Sequence, residues 1–250
     1  NQGCFISAPE RRPMGPQPAL ELNQQYVQGC GFGQQAMAYE ASGNVAAAAQ
    51  LYEQSAATIG SSILMAQQAG VPITDQVFFV CACAHFHAAR LRSISCWTPA
   101  ITNHLLQAQG AIGQAIAVNP GFFQYHSAAG MIEIAMSNAA GALAAFQRAL
   151  QLNPVDAWSQ YMLGILYAAQ GNAATGNHYY HAAARTVPDL PPPQQLISQF
   201  ANPRLGSGRG GGPARMDWNQ FFQTIGEVAK CVNTIGGLFD TPHLPVTSGS

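Results

Sequence analysis

The chain has 250 residues and a formal net charge of −1 at pH 7, and only 8% of its residues are charged, against roughly 25% in an ordinary soluble domain. Nucleic-acid binding is not expected without a basic stripe, and the absence of any run of about 18 apolar residues excludes a membrane-spanning helix. So few charges give little electrostatic repulsion between copies of the chain, which favours their association. A compositional bias of the lineage is the alternative explanation for the low charge.

Residues 1–18 form a proline-rich arm, with prolines at positions 9, 13, 16 and 18, which predicts an extended conformation. The chain starts at Asn1 rather than Met, so we expect a processed or trimmed product. Cys4 and Cys30 flank the arm and could tether it, which would imply an oxidising compartment. Six buried thiols in a cytosolic protein are the alternative. Both remain open, and we place an extracellular or cell-surface location slightly ahead of a cytoplasmic one.

Apolar periodicity predicts helices over residues 19–42, 44–70, 75–93 and 98–118, followed by paired shorter helices that run to residue 186. Thr98 and Pro99 are typical of an N-cap followed by proline at the first helical position. Three prolines at positions 191–193 then open a short helix.

The same residue types recur along these helices at a step of 34 residues. The matching sets are Ala108, Ala142 and Gly176; Ile112, Phe146 and Tyr180; Ala115, Ala149 and Ala183; Pro120, Pro154 and Pro188; and Gly130 with Gly164. A repeat of this length is one supersecondary unit, which can bury its apolar face only against neighbouring units. The small residues predict that two helix backbones approach closely, with the bulky residue filling the gap beside them.

This pattern resembles the tetratricopeptide repeat (TPR) family over roughly residues 29–188. Two units match all five signature positions, namely Gly130, Ala142, Phe146, Ala149 and Pro154, and Gly164, Gly176, Tyr180, Ala183 and Pro188. The unit that ends at Pro120 matches only in its second helix. An earlier unit, around Ala36, Tyr39, Gly43, Ala48 and Tyr52, lies outside the 34-residue register. Helices between about residues 45 and 95 should therefore be longer than the family norm.

The resemblance implies an all-α, TPR-like helical-hairpin solenoid over residues 19–201, including the short helix as a cap. A generic helical bundle with chance periodicity is the alternative. The resemblance also implies a protein-binding groove lined by the first helix of each unit, at Gln124, Ser127, Met131, Ile134, Trp158, Tyr161 and Ile165. These residues lack the Lys, Arg and Asn with which family members clamp a C-terminal carboxylate. An apolar groove suits the apolar face of a helix, although some of these residues, Ile134 and Ile165 above all, could be core between repeats.

A Gly- and Pro-rich linker over residues 202–215 separates this array from an apolar segment in residues 216–250. The large apolar residues of the segment 216–250 fall at three- and four-residue steps, which predicts an amphipathic docking helix followed by a tail. They are Trp218, Phe221, Phe222, Ile225, Val228, Val232, Ile235 and Phe239. Asp217 is placed to cap the start of this helix. Because so apolar a helix is unstable alone in water, it must dock on its own array or on another chain.

One stretch resembles a metal site, because Cys81, Cys83, His85 and His87 alternate along it. On a helix they form two separate pairs four residues apart, and each pair would need two further ligands to bind zinc. Such pairs are more often packing residues. The glycines of residues 206–212 lack the Lys-Ser/Thr ending of a phosphate loop. We therefore predict no catalytic residue, no metal, no cofactor and no enzymatic activity.

Two functions remain. The first is a structural protein that self-assembles into an oligomer or filament, through the docking helix of one copy and the groove of the next. The second is an adaptor or scaffold that binds a helical or extended segment of another protein. The expected partner is accordingly a second copy of this chain or another protein.

Overall fold

The computed structural model describes residues 16–93 and 98–200, and every element assigned within these ranges is an α-helix. The helices are α1 (Pro16–Ala41), α2 (Val45–Ala69), α3 (Asp75–Ser93), α4 (Pro99–Val118), α5 (Phe123–Ala135), α6 (Ala139–Leu152), α7 (Ala157–Ala169), α8 (Ala173–Thr186) and α9 (Pro193–Phe200). The linker predicted over residues 202–215 and the docking helix predicted in residues 216–250 lie outside the described residues. Most of the predicted arm lies outside them too.

The start of α1 corrects one boundary. The arm was expected to stay extended to residue 18, but α1 begins at Pro16. The first four N–H groups of a helix have no partner within it. Pro16 and Pro18 both fall within this first turn, where a missing N–H costs no hydrogen bond. Proline content alone therefore does not mark the end of the arm.

Consecutive helices pair as hairpins, α1 with α2, α3 with α4, α5 with α6 and α7 with α8. Each hairpin packs on the next, through α2 on α3, α4 on α5 and α6 on α7, and α9 packs mainly against α7. This arrangement is the all-α helical-hairpin solenoid that the sequence predicts. The first four helices contain 26, 25, 19 and 20 residues, whereas α5 to α8 contain 13 or 14. The expected lengthening of the early helices is therefore present.

Three hairpin turns share one construction. Gly43, Ser137 and Gly171 adopt a positive φ, at 82°, 61° and 84°. The asparagine after each of them caps the next helix, and its side chain accepts a hydrogen bond from the backbone N–H three residues on. A left-handed residue followed by an N-cap ends one helix and starts the next within a connection of three residues.

Burial separates inner from outer helices. The middle of α7 is buried on every side, and most of α5 is buried as well. In contrast, α6 and α8 bury only one narrow stripe each, which is formed by Ala142, Phe146 and Ala149 in α6 and by Gly176 and Ala183 in α8. These stripe residues are the small and bulky positions of the 34-residue repeat. The positions that recur every 34 residues are therefore those at which an outer helix packs against an inner one.

Candidate protein-interaction surface

The seven residues of the predicted groove lie on the inner helices α5 and α7, and six of them are buried. Met131 is the most exposed of the six at 7%, while Ser127, Tyr161 and Ile165 are fully buried. Gln124 is half-buried. The sequence left open that Ile134 and Ile165 are core residues between repeats. In the structure, the same interpretation extends to Ser127, Met131, Trp158 and Tyr161, because they are buried as well. Protein binding at these positions remains a prediction, and of the seven only Gln124 has substantial surface for it.

A polar bridge joins α5 to α7 among these residues. The Ser127 hydroxyl lies 2.7 Å from the hydroxyl of Ser159 and donates to Asp156 Oδ2 at 3.3 Å. The same carboxylate oxygen accepts from the Ser159 backbone N–H at 3.1 Å and so caps α7. Ser127 is therefore a satisfied structural residue. An Asp immediately before the apolar run of α7 is an N-cap signal that sequence reasoning passed over.

Two tyrosines hold the segment that leads into α9. Tyr161 donates to the Pro191 carbonyl oxygen at 2.9 Å, and Tyr180 donates to that of Leu190 at 3.0 Å. Burial raises the pKa of Tyr161 well above its usual value, so its hydroxyl stays protonated and able to donate. Tyr161, a predicted groove residue, is therefore hydrogen-bonded to the segment at the C-terminal end of the hairpin array.

The Cys/His stretch lies on α3, and its two histidines contact side chains of neighbouring helices. His85 Nδ1 lies 2.9 Å from Nδ1 of His104 on α4, while His87 stacks on the Tyr52 ring of α2 with centroids 4.8 Å apart. Burial lowers the pKa of His85 to about 4 and raises the pKa of Cys81 to about 12. Among the described residues, no three His, Cys, Asp or Glu side chains gather in a group that could hold a metal ion.

Cys30 carries a free thiol in the structure, and Cys4 lies outside the described residues. The disulfide tether between them therefore remains a prediction. The same is true of the compartment that it would imply.

Two ion pairs tie α3 to the first hairpin. Arg90 on α3 donates to Glu40 on α1, and Arg92 donates to both carboxylate oxygens of Glu53 on α2. Burial is the largest single influence on Glu40 and would raise its pKa, but the charges of Arg90 and His87 together with the hydrogen bonds from Arg90 and Tyr52 hold that pKa below its usual value. Tyr52 also donates to Glu40, at 3.3 Å. Partners 39 and 50 residues apart in sequence offered no local signal from which to predict these pairs.

Other carboxylates are also bonded within the chain. Asp75 accepts from Asn119 and Tyr125, at 3.0 and 2.9 Å. Glu133 accepts from Gln109 and Asn138, at 2.8 and 2.7 Å. The donors to Asp75 and Glu133 are uncharged, so these contacts fix the two carboxylates in place without neutralising them.

A cleft of about 200 Å³ lies at the end of the first hairpin, between α1, α2, the loop of residues 70–74 and the start of α3. Its walls are mainly apolar. The apolar side chains include those of Leu22, Tyr26, Ile63, Val71, Ile73 and Val77. None of the predicted groove residues contributes to it. Sequence reasoning missed the cleft, because it arises where three separate segments meet.

Within the described ranges, none of the helices combines the length and the hydropathy needed to cross a membrane.

No protein-family model matches this chain, and no curated protein matches it. A solved structure of MamA is similar at 12% identity with a TM-score of 0.39, covering 68% of this chain and 98% of its own. Two further MamA structures are 14% and 13% identical, with TM-scores of 0.35 and 0.34, and cover 66% and 72% of this chain and 97% of their own. Likeness at this level carries no argument about function, which must come from the residues and their contacts.

Proposed function

We propose that this chain is a non-enzymatic scaffold that self-assembles, as an oligomer or a filament, through its C-terminal apolar segment. Stacked helical hairpins present extended surfaces that proteins with this architecture use for protein contacts. The observation that carries the proposal is the small number of charges, only 8% of the residues, some of which are paired with an opposite charge. Glu40 is paired with Arg90, and Glu53 is paired with Arg92.

A surface with few free charges presents little electrostatic repulsion to a second copy. Apolar side chains are also exposed on it, including Val155 at 72% and Leu64 at 57%. Scattered exposed apolar residues are common, so they permit association without specifying where it occurs. Specificity therefore has to come from a dedicated element.

The predicted docking helix is that element. Burial of its eight large apolar side chains contributes roughly 12–20 kcal/mol before ordering costs, and those costs offset much of it. Its receptor is a surface of the hairpin array of a neighbouring copy. Since six of the predicted groove side chains are buried, Gln124 is the groove residue best placed to contact it.

Sedimentation velocity of the full chain over a range of concentrations tests the proposal. We expect oligomers in the wild type and their loss in the double variant Trp218→Asp and Phe222→Asp, because docking would bury two charges. Val155→Asp places a charge on an exposed loop residue and serves as the matched control, which should still assemble. A wild-type chain that is monomeric at every concentration would overturn the proposal. A monomer that binds an apolar helical peptide would favour the adaptor function instead.

A further inference from the structure

The cleft at the end of the first hairpin has the size of a side-chain receptor. At about 200 Å³ it is smaller than the roughly 300–1,000 Å³ of pockets for drug-sized ligands. It is larger than a cavity of about 150 Å³ that binds benzene. It therefore suits one aromatic ring with a smaller neighbour.

The lining of the cleft selects an apolar occupant. Ser62 is buried, but its hydroxyl already donates to the Ile59 carbonyl oxygen at 2.8 Å. Asn23 and Thr74 also line the cleft, and both are exposed and can be hydrated. The remaining walls are mostly aliphatic, with Tyr26 as an aromatic face. The Tyr26 hydroxyl is buried without a hydrogen-bond partner among the described residues, and an apolar side chain would bury the rest of this surface without leaving a further polar group unpaired.

We propose that this cleft holds the side chains of Phe5 and Ile6 from the N-terminal arm of the same chain. The arm joins α1 at Pro16, and the cleft residues on α1 lie between Leu22 and Tyr26. At 1.5 Å per residue, this stretch lies roughly 9–15 Å along the helix from its start.

The length of the arm decides which of its residues can reach the cleft. Phe5 precedes Pro16 by 11 positions, and an extended segment of that length spans up to about 36 Å. This is enough to turn back along α1. Met14 precedes Pro16 by two positions, spans only about 7 Å, and falls short of the cleft. Phe5 and Ile6 are therefore the large aliphatic or aromatic residues of the arm that can reach it.

Covalent attachment favours this occupant over a foreign one. A segment tethered by a short linker is present at an effective concentration in the millimolar range. Pro9 and Pro13 lie between Phe5 and α1 and fix the backbone φ at two positions, which reduces the conformational entropy lost on docking. Tyr26 supplies an aromatic face for the Phe5 ring.

Cys30 offers a native reporter of docking. It lies four residues after Tyr26, on the same face of α1, and packs against the cluster that contains Tyr26 and Ile59. Cys4 adjoins Phe5 in sequence. Docking of Phe5 would therefore cover Tyr26, whose cluster Cys30 packs against, and bring Cys4 towards the half-buried Cys30 thiol.

The test compares the full chain with the double variant Phe5→Ala and Ile6→Ala, with Met14→Ala as the matched control. Hydrogen exchange of residues 62–77 and alkylation of Cys30, both followed by mass spectrometry of peptides, report on the cleft. We expect both rates to rise about tenfold in the double variant and to stay unchanged in Met14→Ala. Unchanged rates in the double variant, or an equal rise in the control, would overturn the proposal.

Two further measurements identify the occupant. Protection by the chain's own arm is independent of protein concentration, whereas protection by a second copy increases with it and would contradict the proposal. A double-mutant cycle with Val71→Ala, in the loop that lines the cleft, should show coupling between arm and cleft. Strictly additive effects would overturn it. The proposal does not depend on the C-terminal segment, so assembly should persist in the Phe5 and Ile6 variant.

Discussion

Gly164 on α7 and Gly176 on α8 bring two helix backbones into direct contact. A Cβ atom added to Gly164 would lie 3.1 Å from the Gly176 carbonyl oxygen, and one added to Gly176 would lie 2.8 Å from that of Gly164. A distance below 3.0 Å requires the surroundings to move, and one of 3.1 Å is tighter than most real Cβ contacts. A side chain at Gly176 would therefore force the helices apart, and one at Gly164 would require a smaller shift. In the preceding hairpin, Gly130 provides the corresponding space for the Phe146 ring.

Substitution of these glycines should therefore destabilise the last hairpin. We expect Gly176→Ala to lower the free energy of unfolding by about 1–3 kcal/mol, and Gly164→Ala by a smaller amount, since its nearest contact is longer. Urea unfolding followed by circular dichroism measures the change. Gly113→Ala is the control, because nothing lies within 4 Å of its added Cβ. It should stabilise α4 by up to about 1 kcal/mol. Equal effects at Gly113 and Gly176 would show that helix propensity, and not close approach, governs the repeat.

The two ion pairs of α3 should differ in their effect on stability. The side chains of Arg90 and Glu40 are 12% and 21% exposed, whereas those of Arg92 and Glu53 are 43% and 32% exposed. Arg90→Met would leave a largely buried carboxylate without its cation, at a cost of about 3–5 kcal/mol. Arg92→Met should cost about 1 kcal/mol or less. Chemical denaturation of both variants compares them, and a larger loss for Arg92→Met would contradict this ranking.

The sequence predicts helices best where glycine, asparagine and proline mark their ends. Residues 44–70 were expected to form a helix, and α2 spans Val45–Ala69 between the N-cap Asn44 and the C-cap Gly70. The burial of the predicted groove residues could not be predicted in the same way. A repeat register places Tyr161 on an inner helix but does not tell how deeply the neighbouring helices bury it. Likewise, the pairing of Glu40 with Arg90 depends on how the long first hairpin packs against α3. No local sequence pattern specifies that packing.

Acidification should destabilise the contact between α3 and its neighbours. Burial lowers the pKa of His85 to about 4 and that of His87 to about 3, whereas an unfolded histidine has a pKa near 6.5. The unfolded chain therefore binds more protons between these values. The stability contributed by neutral histidines is complete above about pH 6.5 and is lost as the pH falls towards 4. The loss is up to about 1.4 kcal/mol per pH unit for each histidine.

Denaturant midpoints measured between pH 7 and pH 4.5 check this expectation. His85→Phe retains a ring against His104 but removes one titrating group, so its stability should fall less steeply over this range. The carboxylates do not obscure the result, because the pKa values of Glu40 and Asp75 are lowered and their contribution is lost only below about pH 4.3. A wild-type stability that stays flat between pH 6.5 and 4.5 would contradict the prediction.

Ser137 and Gly171 occupy the same position of successive repeats, 34 residues apart, and both adopt a positive φ. For a residue with a Cβ this conformation costs about 1–2 kcal/mol, while glycine adopts it freely. Ser137→Gly should therefore stabilise the turn between α5 and α6, by about 0.5–1 kcal/mol once the greater freedom of glycine in the unfolded chain is subtracted. Gly171→Ala, with nothing within 4 Å of its added Cβ, should destabilise the next turn by about 1 kcal/mol through backbone strain alone. Thermal unfolding of the two variants provides the comparison, and a stabilising Gly171→Ala would show that turn conformation does not limit the stability of these hairpins.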